Sequence, residues 1–497
     1  MDFVTLITAT GFLVMAVSMS TRDGSPRSML VGLSLVVCGM LLRLFGGGGF
    51  FATVIPLFTD AGLSLIVASA WLLFRRSHAK PQPFFILGLL SLVTAGALYL
   101  GAGALHLLKQ KRKSTVLIEL GPDDSIREVR RILRDHDARA MRAFPTVSLD
   151  VDEDLAQVFI VVVPERNADA LMSTLASDEE NVDFVERNIA VSVYPPIESH
   201  AGTVATTHYL ENDPRVGEQW ALEAVRGHAA HALLSELNPV RKARVAILDT
   251  GVEGDHEDLQ DVFGTAPNVG DVHGHGTHCA GIAGGATNNG LGIASLNWNG
   301  AYIELSAYRA LGDNGTGTIE QIAQAIIDAS QADADVISMS LGSFADFPPQ
   351  VVSSAVAFAH RSGVIVAASA GNSNRDASNH FPSNIDGVIA VAAVGTDLSK
   401  APFSNTVGSL GRPIAAPGVD ILSSVPGSDY AQKSGTSMAT PMVTGLLGIM
   451  RALNPDITAD EAYSILHESG RSVEDTPRVG RLIDAEAAIL ATIDRGS

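Results

Sequence analysis

The chain has 497 residues and is 46% hydrophobic, with 34 Lys/Arg against 54 Asp/Glu and a net charge of −20. Its length leaves room for several domains. Residues 1–113 hold ten basic and three acidic residues, net +7, and the rest hold 24 and 51, net −27; so acidic a remainder argues against a nucleic-acid partner. Only Cys38 and Cys279 are present, which excludes a disulfide within one domain and leaves the redox compartment open.

Four apolar runs come first, at 3–20, 29–46, 50–74 and 83–108. Each is near the length that crosses a bilayer. Residues 1–113 are therefore expected to form four transmembrane helices, an anchor with the lipid bilayer as partner. The first run lacks a basic leader and a cleavage site, so it does not read as a signal peptide. Basic residues divide five and five between the two sides of such an anchor, and the positive-inside rule gives no orientation.

The pattern changes at 114. Residues 115–120 alternate as a strand does, and 125–136 have helical periodicity with Asp123 or Asp124 near the cap. Strands are expected at 140–147 and 157–163, a second helix at 167–176 and a last strand at 182–194. This β-α-β-β-α-β order predicts a ferredoxin-like α+β domain over 114–195. Residues 196–212 are polar with no apolar period, and read as an exposed linker where nicking concentrates.

In 243–249, five of the six residues before Asp249 are apolar. That is the pattern of a buried parallel strand, here ending in a carboxylate and a turn. An aspartate at that place also serves simply to cap a turn. Next comes His273-Gly274-His275-Gly276-Thr277-His278-Cys279, with glycines on both sides of His275 and a small-residue helix expected to follow. Three histidines so spaced also suit a metal, with Asp249, Asp255, His256 and Asp258 at hand. Further buried strands at 334–341, 363–369 and 387–394 alternate with helices, predicting an α/β sandwich with a mostly parallel sheet.

The run Gly435-Thr436-Ser437-Met438-Ala439-Thr440-Pro441 delivers a serine to an apolar helix, 442–453, which stops at Asn454-Pro455. Such a serine is either an N-cap or a nucleophile beside the helix's positive end. Thr458 and Glu461 have the spacing of a capping box before 462–468.

Asp249-Thr250-Gly251, His275-Gly276-Thr277-His278 and the Ser437 run, in that order, resemble the three active-site motifs of subtilisin-like serine peptidases. The similarity extends over about 213–492. It implies a subtilisin-like sandwich over 213–497 and endopeptidase hydrolysis of protein or peptide substrates, with no cofactor in the chemistry. Ser437 would be the nucleophile, His275 its base and Asp249 the group that orients the imidazole. Cys279, one helical turn beyond His275, would be a small core residue. Asn372 matches the family's side-chain oxyanion donor. Ser340, Leu341 and Gly342 match one wall of the substrate groove, and Gly315, Thr316 and Gly317 the other, gripping a peptide by strand addition. Met442 stands where the family usually has histidine.

Asp258 and Asn289 fall near positions that bind structural calcium in relatives, but the loop between 284 and 293 does not align, and no metal is assigned. By its position, 114–195 resembles the inhibitory propeptide of these peptidases, an intramolecular partner, with autocleavage expected between Tyr194 and Asn212. The four apolar runs imply an integral membrane protein, in the cell membrane; the resemblance to a mostly exported family implies an extracytoplasmic peptidase domain, which the expected cleavage would release. Two other readings stay open: a metallohydrolase built on His273, His275 and His278, and a catalytically inactive peptide-binding membrane protein.

Overall fold

A computed structural model of the protein describes residues 113–193, 210–264 and 270–496. It divides into two units, Met1–Ser114 with Pro164–Asn167, and Thr115–Val163 with Ala168–Ser497. Of the first unit only 113, 114 and 164–167 are described. The expectation of four transmembrane helices is corrected. Among the described residues no helix is long and apolar enough to cross a membrane, and the runs 3–20, 29–46, 50–74 and 83–108 lie outside the described residues. That expectation rested on the apolar length of the four runs alone.

Among the described residues, the strands from 113 to 193 are β1 (Lys113–Leu120), β2 (Arg139–Arg142), β3 (Val158–Pro164), β4 (Val182–Arg187) and β5 (Ala190–Ser192). The first four form one sheet in the order β2-β3-β1-β4. The helices Arg130–Asp135 and Ala168–Ala176 complete the β-α-β-β-α-β succession, and one added helical turn, Glu153–Ala156, precedes β3. Alternation along β1 explains the packing. Val116, Ile118 and Leu120 join Leu133, Leu171 and Leu175 in one core. Leu117 points the other way, into a second cluster with Phe144, Leu155, Val351, Val352 and Ile319. Two expected strands are shorter than predicted. β2 stops before Phe144-Pro145, since proline has no N–H for a ladder. The strand expected at 182–194 divides at Asn188-Ile189, because its second half changes partner.

The remaining strands are β6 (Ala243–Asp249), β7 (Ile303–Arg309), β8 (Thr316–Thr318), β9 (Val336–Met339), β10 (Ser343–Phe344), β11 (Ile365–Ser369), β12 (His380–Phe381), β13 (Ile389–Val394), β14 (Pro413–Pro417), β15 (Ile421–Val425), β16 (Asp429–Lys433) and β17 (Arg481–Leu482). Seven of them form a parallel sheet, in the order β17-β14-β13-β11-β9-β6-β7. Every residue of β9, β11 and β13 is buried, as a parallel sheet with both faces covered requires. The helix Thr436–Leu453 runs through the core, buried from Thr436 to Ala452. On the opposite face, Ile319–Gln331 and Gln350–Arg361 contribute Ile322, Ile326, Val352 and Val356 to a separate cluster. The capping box of Thr458 and Glu461 forms and opens the helix Ala459–Ser469.

Candidate active site

β6 and β9 are adjacent parallel strands, so their carboxyl ends bring Asp249 and Ser340 to the same edge of the sheet. His275 opens the helix His275–Gly284, and Ser437 lies in the first turn of Thr436–Leu453. The backbones come close here. A Cβ on Gly276 would lie 2.0 Å from the Gly251 carbonyl oxygen, so only glycine lets the histidine helix reach the end of β6. His275 Nδ1 donates to Asp249 Oδ1 and Oδ2 at 2.8 and 2.9 Å. Both side chains are buried. Burial opposes charge on His275, but the adjacent Asp249 carboxylate outweighs it and raises the imidazole above its usual range. With Nδ1 donating, Nε2 is the basic nitrogen; it has no hydrogen-bond partner among the described residues.

Ser437 is not hydrogen-bonded to His275. Its Oγ donates instead to the Ser340 carbonyl oxygen at 3.2 Å. In return, Ser340 Oγ donates to the Ser437 carbonyl oxygen at 2.8 Å, with Cys279 Sγ 3.4 Å from the same oxygen. Pro441 explains why that carbonyl is free. It stands four residues on, inside the helix, and has no N–H with which to close the turn. Cys279 Sγ is also 3.9 Å from His275 Nδ1, so one buried thiol borders both motifs.

Asn372 follows β11 and faces the start of the serine helix. Its Oδ1 accepts from Thr436 N at 2.9 Å and Thr436 Oγ1 at 2.8 Å. With the oxygen held by two donors, the amide nitrogen is left as the free donor, and a Cβ on Gly435 would lie 3.1 Å from it. Thr436 Oγ1 also accepts from Gly371 N at 3.1 Å. The sequence reading missed Thr436, although it sits beside the serine. It also missed Asp271, which is buried and accepts from Thr250 Oγ1 and Gly274 N at 2.8 Å each. Asp271 further accepts from Thr277 N at 2.9 Å and Thr277 Oγ1 at 2.8 Å. That network ties the end of β6 to the first turn of the histidine helix; an aspartate four residues before His275 was the available signal.

The two expected groove walls hold a strand of this same chain. β5 pairs antiparallel with β8, matching Val191 with Gly317 and Ser192 with Thr316. Val193 N donates to the Gly315 carbonyl at 3.0 Å, and on the other side Gly342 N donates to the Ser192 carbonyl at 3.3 Å. Gly315 has φ +71°, a conformation natural to glycine. Of the six residues expected to line the groove, Gly315, Thr316, Gly317 and Gly342 touch this strand. Ser340 bonds to Ser437, and Leu341 is buried in the core.

The three-histidine cluster does not converge. His278 Nε2 is engaged by the Ala431 carbonyl at 2.9 Å, and burial holds its pKa well below the usual range. Burial, with His275 nearby, also lowers His273. Asp258 and Asn289 do meet, but as hydrogen-bond partners. Asn289 Nδ2 donates to Asp258 Oδ1 at 3.0 Å, while Ile293 N and the Tyr430 hydroxyl occupy Oδ2 at 3.0 and 2.7 Å. Donors face this carboxylate where a calcium ion would need oxygen ligands, so the pair as held does not fit one.

The sequence model of the Subtilase family matches residues 241–481. Alkaline elastase YaB of Bacillus sp. (strain YaB) is 33% identical over 322 residues, 63% of this chain and 77% of that protein. The chain belongs to the subtilase family. A thermophilic serine proteinase of Bacillus sp. (strain AK1) is 41% identical over 213 residues, 41% of this chain. This subtilase spans about half, 51%, of that relative's length. The halolysin-like extracellular serine protease Nep of Natrialba magadii is 31% identical over 64% of this chain and 57% of its own. The protein is a serine endopeptidase, and subtilase chemistry needs no cofactor. The expected integral-membrane localisation is corrected on two findings: Nep is named as extracellular, and no described helix is long and apolar enough to cross a membrane.

Proposed function

We propose that Ser437, His275 and Asp249 carry out the hydrolysis, with Asn372 as oxyanion donor. The observation that carries this reading is the Asp249–His275 pair at 2.8 Å, with the imidazole's other nitrogen unpartnered. A small rotation of Ser437 away from the Ser340 carbonyl would let Nε2 take the hydroxyl proton as Oγ attacks the scissile carbon. Hydrogen bonds of this kind are often loose until substrate binds. Asp249 keeps the imidazole in the reactive tautomer and stabilises the imidazolium. His275 then returns the proton to the leaving amine, and water releases the acyl group by the same steps in reverse. The Asn372 amide N–H groups, turned outward by Thr436, and the backbone N–H of Ser437 would take the negative oxygen.

The account extends to residues 114–195 as an intramolecular inhibitor of the peptidase domain, 213–497. Support comes from β5, which occupies both walls where a substrate strand would add, at Gly315–Gly317 and Gly342. A chain running out of that groove after Val193 would be cut within 194–212 by its own peptidase. Wild-type full chain is expected to hydrolyse a peptide amide and to yield a fragment beginning within that stretch. Ser437→Ala should do neither; the same fragment from both proteins would sink self-cleavage.

A further inference from the structure

Residues 210–212 open the peptidase part of the chain by burying an acid. The Glu211 side chain is fully enclosed, and its Oε1 lies 2.8 Å from His228 Nδ1 and in a very short hydrogen bond with His231 Nδ1. Both histidines come from the helix Gly227–Leu234, where a spacing of three places them on one face. Glu211 Oε2 is buried without a hydrogen-bond partner. None of these three residues has a part in the proposed hydrolysis.

The far side of His231 fixes what its near side can do. Nε2 lies 2.7 Å from the Ser295 carbonyl oxygen, which can only accept, so Nε2 carries a proton. In the neutral ring Nδ1 then aims a lone pair at a carboxylate oxygen. That approach is repulsive unless a proton or a metal ion lies between them. An imidazole whose far N–H is held by a backbone carbonyl is also the standard way a histidine metal ligand is oriented. The ligand atoms of Glu211, His228 and His231 all lie within 4.8 Å of one another. Shifts of about an ångström would bring them to the roughly 2.0–2.2 Å that zinc needs. The idle Oε2 supplies a further lone pair, and His228, with 18% of its side chain exposed, leaves a way in.

We propose that Glu211, His228 and His231 form a binding site for a divalent transition metal of the zinc class. Two imidazoles and a carboxylate suit zinc, cobalt or nickel, whereas calcium takes oxygen ligands in larger number. The ion clips the start of the peptidase segment to a helix 17 to 20 residues further on, removing the loop's freedom. A cut upstream of Glu211 leaves that residue close to a new amino terminus, and the clip then holds down an end that would otherwise fray.

The test uses the full chain carrying Ser437→Ala, which cannot digest itself. After equilibrium dialysis against zinc it is expected to retain one ion per chain, with excess calcium failing to displace it. Its thermal midpoint should rise, and cobalt in place of zinc should give the visible absorption of a four-coordinate site. Glu211→Gln and His228→Gln, shown by circular dichroism to be folded, are expected to lose the ion, the spectrum and the rise in midpoint. Failure of the folded full chain to retain zinc, displacement by calcium, or undiminished retention in both variants overturns the site. A midpoint that responds to pH and not to metal also overturns it, identifying a shared-proton pair.

Discussion

Thr436 decides which end of Asn372 faces outward. Both of its donors hold the amide oxygen, but only the hydroxyl is removable, and Thr436→Val keeps the volume while losing it. One such bond is worth about 1 kcal/mol. We therefore expect kcat to fall by about fivefold with KM little changed; a loss confined to KM would mean that Thr436 shapes binding instead. Asn372→Ala should cost about 10²–10³ in kcat, a magnitude known from the side-chain donor of a subtilisin. Asp249→Asn should cost about 10⁴ and also move the pH profile. Asp249 raises the His275 pKa, and the base must be neutral to act, so kcat/KM rises with pH as His275 loses its proton. Without the carboxylate this rise should shift to lower pH, and an unmoved profile would mean that another group is the base.

At the scale of elements, the small sheet is seated by charge as well as by apolar contact. Glu186 on β4 accepts from Gln350 N and Val351 N at 2.9 Å each, capping the helix Gln350–Arg361 from outside. Caps of this kind are worth about 1 kcal/mol, so Glu186→Ala should loosen the seat and speed the appearance of peptidase activity from the full chain. An unchanged rate would leave the apolar cluster as the sole anchor. The peptidase sheet was legible in the sequence because its strands are continuous apolar runs. β6 falls where the apolar run ends at Asp249, while β9, β11 and β13 each start two residues late. Positive-φ turns at Asp333, Gly363 and Gly387 occupy the space just before them. β5 was not legible as a separate strand, since apolar alternation cannot report a change of partner between β1 and β8. The Glu211 cluster was hidden for a related reason: its members meet only through folding, and no local pattern joins them.

For the molecule as a whole, residues 115–193 bury both faces of their sheet, one in their own core and one against the peptidase helices. Glu119 in β1 is caught in this packing. Burial, then Asp154 and other nearby acids, push its carboxyl from 4.5 up to about 7. Unfolding lets that proton go, so the contribution of Glu119 to stability is greatest below about 4.5 and declines as pH rises towards 7. The difference in thermal midpoint between the Ser437→Ala chain and its Glu119→Gln derivative should shrink in the wild-type residue's disfavour across that window; a constant difference would show that Glu119 does not titrate there. The central claim, however, concerns one hydroxyl at the head of a buried helix. Its most direct measurement is mass-spectrometric mapping of a fluorophosphonate on the folded full chain. The account predicts a single adduct on Ser437, greatly reduced by His275→Ala and absent in Ser437→Ala. A folded wild-type chain that takes no label, or takes it at another residue, would contradict it.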